Sequence, residues 1–158
     1  MIINGQKLLL YAPIKPMLTE KKSHLGVSYG LSECGYDIRI AQEVLLYPGN
    51  RFVLANSFEY FDMPTNLMGR VLNKSTWARK GLDASMTTNI EPGWKGYLTL
   101  ELRYSGWMPL RIQRGVGIAQ VIFEQILEPV TYKGKYQNQP NQPVPAIFKS
   151  VRAEEPVT

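Results

Sequence analysis

Residues 73–102 read NKSTWARKGLDASMTTNIEPGWKGYLTLEL and contain the most informative patterns of the chain. At the end of this stretch, YLTLELR (residues 97–103) alternates apolar and polar residues, which predicts a half-buried strand. Its leucines are expected to face the core, and Glu101 lies on the polar face. That carboxylate is either exposed to solvent or placed in a cleft where burial tunes it for proton transfer, and the spacing leaves both interpretations open.

Short apolar runs bounded by turn residues recur along the whole chain. The runs are rich in Leu, Ile, Val, Tyr and Phe. They are KLLLY, YDIRI, EVLLY, RFVLA, NLMGRVL, YLTLELR, PLRIQ and GIAQVIFEQIL. So many short strands at close spacing predict an all-β barrel, sandwich or jelly roll with few helices. From Lys133 onward, GKYQNQPNQPVPA has no periodic apolar face, so we expect a β domain over residues 1–132 and a C-terminal lid or tail over residues 133–158.

Length and composition limit the possible classes of protein. With 158 residues, 44% of them apolar, the chain fits one globular domain. No apolar run approaches the roughly 20 residues of a membrane span, and the start MIINGQKLLLYAPIKP lacks the parts of a signal peptide. We therefore expect a soluble, cytoplasmic protein with no membrane partner. His24 and Cys34 are the only residues of their types, which argues against zinc and against a zinc-type deaminase.

Residues 75–81, STWARKG, form the best helix candidate. We expect about two turns, with Ser75 as the N-cap and Gly81 at the end. Lys74 and Arg79 would add two cations to the backbone N–H groups of the helix start, which suits a phosphate-sized anion. The alternative is a capped surface helix with solvated cations. The excess of basic residues, 18 against 13, favours a polyanionic partner or simply a charged, soluble surface.

Four motifs, in order, resemble those of the dCTP deaminase family. KSTWARKGL resembles [KR]-S-S-L-A-R-x-G-L, IEPGWKG resembles I-D-P-G-[FW]-x-G, YLTLEL resembles I-T-L-E-[LF], and GIAQVIFE resembles I-G-Q-L-x-F. CGYDIRI and GKYQNQ resemble two flanking segments, so the resemblance extends over about residues 34–139. It implies a dUTPase-like fold, which is a distorted β-barrel or jelly roll with one or two short helices. It also implies a homotrimer with active sites shared between subunits.

The resemblance implies deamination of dCTP to dUTP and ammonia, which supplies dUTP and dUMP for thymidylate synthesis. Glu101 matches the general base that activates water without a metal. Ser75 and Arg79 match residues that hold the water and the phosphates, in part from a neighbouring subunit, and Lys74 and Thr76 match phosphate contacts. Mg²⁺ is expected only with the triphosphate. dUTP and dTTP are further candidate ligands, dTTP as an inhibitor, and no nucleic-acid partner is expected.

Further positions match substrate contacts of the family. They are Glu91 near the deoxyribose 3′-hydroxyl, Thr99 and Leu100 beside the base, and Tyr132, Lys135 and Gln139 in a C-terminal lid. Glu91 replaces the family's aspartate.

The loop MTTNI (residues 86–90) is the main departure from the family, because it is one residue shorter than V-T-A-x-x-I. Thr88 stands where the family has an alanine beside the base, with Thr87 next to it. Three alternatives therefore remain: a bifunctional dCTP deaminase and dUTP diphosphatase that yields dUMP, a dUTPase alone, and a non-catalytic nucleotide-binding module. IEPGW lacks the I-D-x-x-Y arrangement of ordinary dUTPases, and a pure phosphate binder gains nothing from a carboxylate near the anion.

Overall fold

The chain folds mainly into antiparallel strands in the computed structural model, which describes residues 1–148. The strands are β1 (Ile2–Ile3), β2 (Ile14–Lys15), β3 (Lys21–His24), β4 (Val27–Leu31), β5 (Tyr36–Arg39), β6 (Val44–Leu46), β7 (Phe52–Asp62), β8 (Leu67–Asn73), β9 (Leu82–Asp83), β10 (Asn89–Ile90), β11 (Lys95–Tyr104), β12 (Leu110–Ile112) and β13 (Gly117–Gln125). The described helices are α1 (Gly5–Tyr11), α2 (Ser75–Ala78) and a 3₁₀ helix at Ser85–Thr87. The predicted all-β class with short helices is confirmed.

Within residues 1–148, the strands form three sheets. The largest has the order β10-β8-β13-β5-β4-β3, and β1 also pairs with β13. The second has the order β2-β7-β11-β9, and β12 with β6 forms a two-stranded ribbon. The sheets curl, which gives the distorted barrel or jelly roll that the sequence predicts.

Strand β11 carries one apolar face into the core. Leu98, Leu100 and Leu102 are at most 7% exposed, whereas Thr99 and Glu101 between them are partly exposed. The predicted alternation is therefore confirmed. Each fully buried leucine contributes about 1.5–3 kcal/mol to folding, so a shift of one residue in this strand would be strongly unfavourable.

A β-bulge sets the direction of the polar edge of β11. The register between β7 and β11 shifts between Tyr97 and Thr99. At this point the backbone N–H of Leu98 donates to Ser57 Oγ at 2.9 Å, and Ser57 Oγ donates to the carbonyl oxygen of Glu59 at 2.7 Å. The hydroxyl thus replaces a regular ladder bond. Strand β9 pairs with β11 only from Arg103 onward, so within residues 1–148 no strand of a sheet covers the edge near Thr99, where Gln139 bonds instead.

The run KLLLY was predicted as a strand, and this prediction is wrong. Residues 7–11 belong to helix α1, in which Leu8 is buried and Leu10 is 82% exposed. Leucine is a good helix former, and a short apolar run has no period that separates helix from strand. The helix ends at Tyr11, and its C-cap residue Ala12 has a left-handed backbone with φ 44° and an N–H that donates to the carbonyl oxygen of Leu8.

The helix predicted at residues 75–81 is shorter than expected. Helix α2 spans only Ser75–Ala78, its N-cap is Lys74 rather than Ser75, and no side chain caps it. Trp77 holds helix α2 against strand β13, because its buried indole N–H donates to the carbonyl oxygen of Gly117 at 2.6 Å. Gly81 does follow the helix with φ 90°, and its N–H donates to the carbonyl oxygen of Ala78 at 2.9 Å.

A buried ion pair joins the two larger sheets. Arg39 on β5 donates from Nε to Glu59 Oε1 at 2.7 Å and from its backbone N–H to Oε2 at 2.9 Å. The Glu59 side chain is 0% exposed, and burial raises the pKa of its carboxyl while Arg39 opposes the rise. The guanidinium of Arg39 also lies 4.0 Å from the ring centre of Phe58 and 4.7 Å from that of Tyr29.

Residues 132–148, here called the C-terminal segment, have no regular strand or helix and lie against residues 93–99. An isolated parallel bridge joins Gly96 to Gln139. The remainder of the predicted lid, residues 149–158, lies outside the described residues. The division of the chain at residue 132 stays a prediction.

Candidate active site

A cavity of about 500 Å³ lies between the polar edge of β11, the loop before it and the C-terminal segment. Seven of the predicted site residues line this cavity, from four separate parts of the sequence. They are Thr87, Thr88, Glu91, Thr99, Glu101, Tyr132 and Gln139. The fold therefore brings together the predicted general base Glu101, the shortened loop at Thr87 and Thr88, and part of the predicted lid.

Glu101 is one of two carboxylates that line the cavity. It projects from the polar face of β11, and partial burial raises the pKa of its carboxyl above the ordinary value. Its backbone N–H donates to Thr87 Oγ1 at 3.0 Å, so the buried Thr87 joins the loop to the strand. A carboxylate with a raised pKa can accept a proton and return it within one reaction cycle.

The loop beside Glu101 is held in an unusual conformation. Asp83 Oδ1 accepts hydrogen bonds from the backbone N–H and the hydroxyl of Ser85, at 2.8 and 2.6 Å. These bonds lower the pKa of the Asp83 carboxyl. After the 3₁₀ helix, Thr88 has φ 66° and ψ −128°, which is a strained region for a β-branched residue. Its carbonyl oxygen accepts from the N–H of Val71 at 2.9 Å, which holds the strained residue against β8.

The edge of β11 offers hydrogen-bonding groups to the cavity at Thr99. The carboxamide oxygen of Gln139 accepts from Thr99 Oγ1 at 2.8 Å and from its backbone N–H at 3.3 Å. Thr99 Oγ1 also accepts from the N–H of Val144 at 3.0 Å. In contrast, the Leu100 side chain is fully buried in the core, where it is in register with Ala55 on β7.

The predicted phosphate residues lie away from this cavity. Among the described residues, the lining contains the carboxylates Glu91 and Glu101 but no lysine or arginine. Ser75, Thr76 and Arg79 are exposed around helix α2 and are not part of the lining. Within one chain, the carboxylate and the predicted anion site are therefore separate.

Lys74 makes contacts that the sequence did not indicate. Its ammonium donates to Asp37 Oδ2 at 2.6 Å and to Ser28 Oγ at 2.9 Å, and its side chain is only 10% exposed. Gln120 completes the arrangement by donating from Nε2 to Asp37 Oδ1 at 3.3 Å. This buried network fixes the chain just before α2, so Ser75 and Arg79 follow a firmly held residue.

The sequence of residues 20–126 assigns the chain to a protein family. Residues 20–126 match the DCD family model, described as dCTP deaminase-like. The chain belongs to the dCTP deaminase-like family. The dCTP deaminase of Campylobacter curvus is 37% identical over 171 aligned positions, which cover 87% of this chain and 91% of the relative. That of Roseiflexus castenholzii is 38% identical over 162 positions, covering 82% and 88%.

Solved structures of dCTP deaminase and dUTPase support the same fold. The 2′-deoxycytidine 5′-triphosphate deaminase from Agrobacterium tumefaciens has a TM-score of 0.58 at 16% identity, covering 79% of this chain and 48% of that one. The EIAV dUTPase has a TM-score of 0.54 at 19% identity, covering 66% and 85%. At these identities the similarity shows the fold alone. The dCTP deaminase-like assignment rests on the sequence matches.

Some residues of this dCTP deaminase-like site were not singled out from the sequence. Trp94 and Tyr136 both line the cavity, and the indole N–H of Trp94 donates to the carbonyl oxygen of Tyr136 at 2.6 Å. Gln137 holds the same segment through its carboxamide. The motifs IEPGW and GKYQNQ contain these residues, but only the fold shows that the two motifs touch.

The predicted lid residues have different surroundings. Tyr132 and Gln139 line the cavity, whereas Lys135 is exposed, and its ammonium lies 5.1 Å from the ring centre of Tyr136 and 6.0 Å from that of Phe148. Lys135 also donates to the carbonyl oxygen of Ile147.

Residues 1–148 contain neither a cluster of metal-binding side chains nor a helix suited to span a membrane. Within this part of the chain, no group of three or more His, Cys, Asp or Glu side chains is arranged to hold a metal ion. No helix among the same residues is both long enough and apolar enough to span a bilayer.

Proposed function

We propose that the protein deaminates dCTP to dUTP and ammonia with Glu101 as the general base. The observation that carries this proposal is a carboxylate of raised pKa in a cavity between strand β11 and the C-terminal segment. The family membership and the dCTP deaminases among its relatives support the same substrate.

In the proposed reaction, Glu101 takes a proton from water as the water oxygen forms a bond to C4 of cytosine. The electron pair of the N3=C4 bond moves to N3, which takes this proton from Glu101. Glu101 then accepts the proton of the new C4 hydroxyl and gives it to the exocyclic nitrogen, so the exocyclic C4–N bond breaks and ammonia leaves as the C4 carbonyl forms. Glu101 returns to its ionised state. The backbone of Thr99 is proposed to hold the pyrimidine edge once the bound base displaces the Gln139 carboxamide from the Thr99 N–H and hydroxyl. Glu91 lies in the same cavity and is proposed to bind the deoxyribose 3′-hydroxyl.

We propose that the triphosphate is held by cations of a neighbouring subunit in a homotrimer. The cavity lining in the described residues has two carboxylates and no cation, so it would repel a triphosphate. Ser75, Thr76 and Arg79 are exposed on the same chain and can therefore face the cavity of another copy. Lys74 would keep these residues in place through its pairing with Asp37, and Mg²⁺ would arrive with the triphosphate.

A second candidate function is hydrolysis of the dUTP product to dUMP in the same cavity. It is favoured by the strained Thr88, which alters the loop beside the reacting base compared with the family pattern, and by a second carboxylate, Glu91, near the first. A bifunctional enzyme would release dUMP without free dUTP. dTTP, which resembles the product in its base, is a candidate inhibitor of either activity.

The test is incubation of the protein with dCTP and Mg²⁺, followed by chromatographic separation of dCTP, dUTP and dUMP. Wild type is expected to form dUTP, or dUMP if both steps occur. Glu101→Gln keeps the shape of the side chain but removes the proton acceptor, so turnover should fall by about 10²–10⁴-fold while dCTP still binds. Glu128→Gln, at an exposed position, is the matched control. Near-normal turnover by Glu101→Gln would refute the assigned role.

A further inference from the structure

We propose that Gln137 is a positioning residue that latches the C-terminal segment over the cavity in a single register. Its carboxamide makes four hydrogen bonds. Nε2 donates to the carbonyl oxygens of Gly93 and Tyr132, both at 3.0 Å. Oε1 accepts from the backbone N–H of Lys95 at 2.7 Å and, at 3.2 Å, from the N–H of Asn138, which it shares with the carbonyl oxygen of Lys95 at 2.9 Å. The amide thus donates two hydrogen bonds and accepts at its oxygen, so a side chain without both functions loses part of this network.

Gln137 lies beside the bonds that fix the register between the C-terminal segment and strand β11. Next to Gln137, the N–H of Asn138 donates to the carbonyl oxygen of Lys95 at 2.9 Å, and the N–H of Tyr97 donates to the carbonyl oxygen of Gln139 at 3.1 Å. These bonds place the Gln139 side chain opposite Thr99. A displacement of one residue would put Asn138 or Pro140 there instead, and the cavity would lose its cover.

The backbone of the C-terminal segment at Gln139 lies very close to the backbone of Gly96. A Cβ atom on Gly96 would lie 2.6 Å from the backbone nitrogen of Gln139, so only glycine permits the contact. Every residue of the segment is exposed or half-exposed, and Tyr132 is its one residue that packs against the core. Beyond Tyr132, its docking therefore depends largely on hydrogen bonds, of which the Gln137 carboxamide makes several.

The inference deepens the proposed function and rests on it for its kinetic consequence. If the segment covers a bound nucleotide, loss of the latch should weaken nucleotide binding more than it slows the chemical step. The position of the segment can also be tested without any substrate. Lys133 and Lys135 are exposed trypsin sites beside the latch, and cleavage at them requires the docked segment to open.

The experiment compares Gln137→Glu and Gln137→Met with wild type. The first keeps the shape but places a carboxylate against two carbonyl oxygens, and the second removes all four bonds without adding charge. Gln142→Glu is the matched control, because Gln142 is exposed in the same segment. Limited trypsin digestion of the free protein, followed by intact mass measurement, gives the rate of cleavage after Lys133 and Lys135. Steady-state kinetics with dCTP give KM and kcat.

Both Gln137 variants are expected to be cleaved about tenfold faster or more, and to show a KM for dCTP raised by a similar factor with a smaller change in kcat. The control should match wild type in both measurements. Unchanged cleavage, faster cleavage with unchanged kinetics, or an equal effect of Gln142→Glu would each overturn the proposal. If wild type does not convert dCTP, the proposed function fails, and the cleavage rates alone then decide whether Gln137 is the latch.

Discussion

Removal of Arg39 should destabilise the protein far more than removal of an exposed arginine. Arg39→Met keeps much of the apolar stem but takes the guanidinium away from Glu59, whose side chain is 0% exposed. Only the backbone N–H bond to Oε2 would remain. Breaking a buried pair in this way costs about 3–5 kcal/mol, because it leaves a buried charge without its partner. Loss of stacking on Phe58 and Tyr29 adds about 0.5–1 kcal/mol per ring.

The destabilisation should depend on pH with a definite sign. Burial raises the folded-state pKa of Glu59 above its ordinary value of 4.5, and Arg39 opposes that rise. Without Arg39 the pKa rises further. A carboxyl with a raised folded-state pKa stabilises the fold below its unfolded pKa, and this contribution is lost as the pH rises through the folded value. The deficit of Arg39→Met should therefore be larger at pH 8 than at pH 5.

Urea unfolding followed by tryptophan fluorescence, at one protein concentration, measures the difference. The matched control is Arg111→Met, which breaks the exposed pair with Glu43 and should cost less than about 1 kcal/mol. The double variant Arg39→Met with Glu59→Leu should recover much of the loss, because it leaves no buried charge. An Arg39→Met protein as stable as the control at pH 8, or one with an equal deficit at pH 5 and pH 8, contradicts the argument.

Three further predictions concern the site. Arg79→Ala and Glu101→Gln proteins should each be inactive toward dCTP. Mixed trimers of the two should regain part of the activity, because some sites would then hold both intact residues. No recovery in verified mixed trimers would mean that each site is built within one chain. Truncation after Val130 should leave a folded oligomer with a much lower kcat/KM, since β13 ends before that point; equal kcat/KM would remove the segment from the mechanism. Thr88→Gly should raise the free energy of unfolding by about 1 kcal/mol by relieving backbone strain. Thr88→Ala should change the rate of deamination or the ratio of dUTP to dUMP. If neither variant has an effect, the loop does not lie beside the cytosine base.

The sequence predicted the polar face of β11 well, because a strand has a fixed period of two. Once Leu98, Leu100 and Leu102 face the core, Glu101 must lie on the other face, and the structure adds only the cavity around it. The same type of argument failed for KLLLY, where five residues are too few to show a period and tertiary packing selects helix α1.

Contacts between distant segments could not be predicted from the sequence. Nothing near Lys74 indicates that its ammonium pairs with Asp37, 37 positions earlier. In the same way, the positive φ of Thr88 contradicts the local preference of a β-branched residue, so local propensity argues against the conformation that the fold imposes. The contact between Gly96 and Gln139 also depends on how the chain returns after β13.

Separation of the carboxylate from the cations has a physical advantage for the proposed reaction. An arginine beside Glu101 in the same chain would form an ion pair and lower the pKa of the carboxyl, which would weaken it as a base. In the proposed trimer, Arg79 at the end of helix α2 of a neighbouring subunit would act at the phosphates, while burial alone raises the pKa of Glu101. The triphosphate would also neutralise that cation when it binds. An isolated chain would then have a basic carboxylate without a phosphate site, so activity should require assembly.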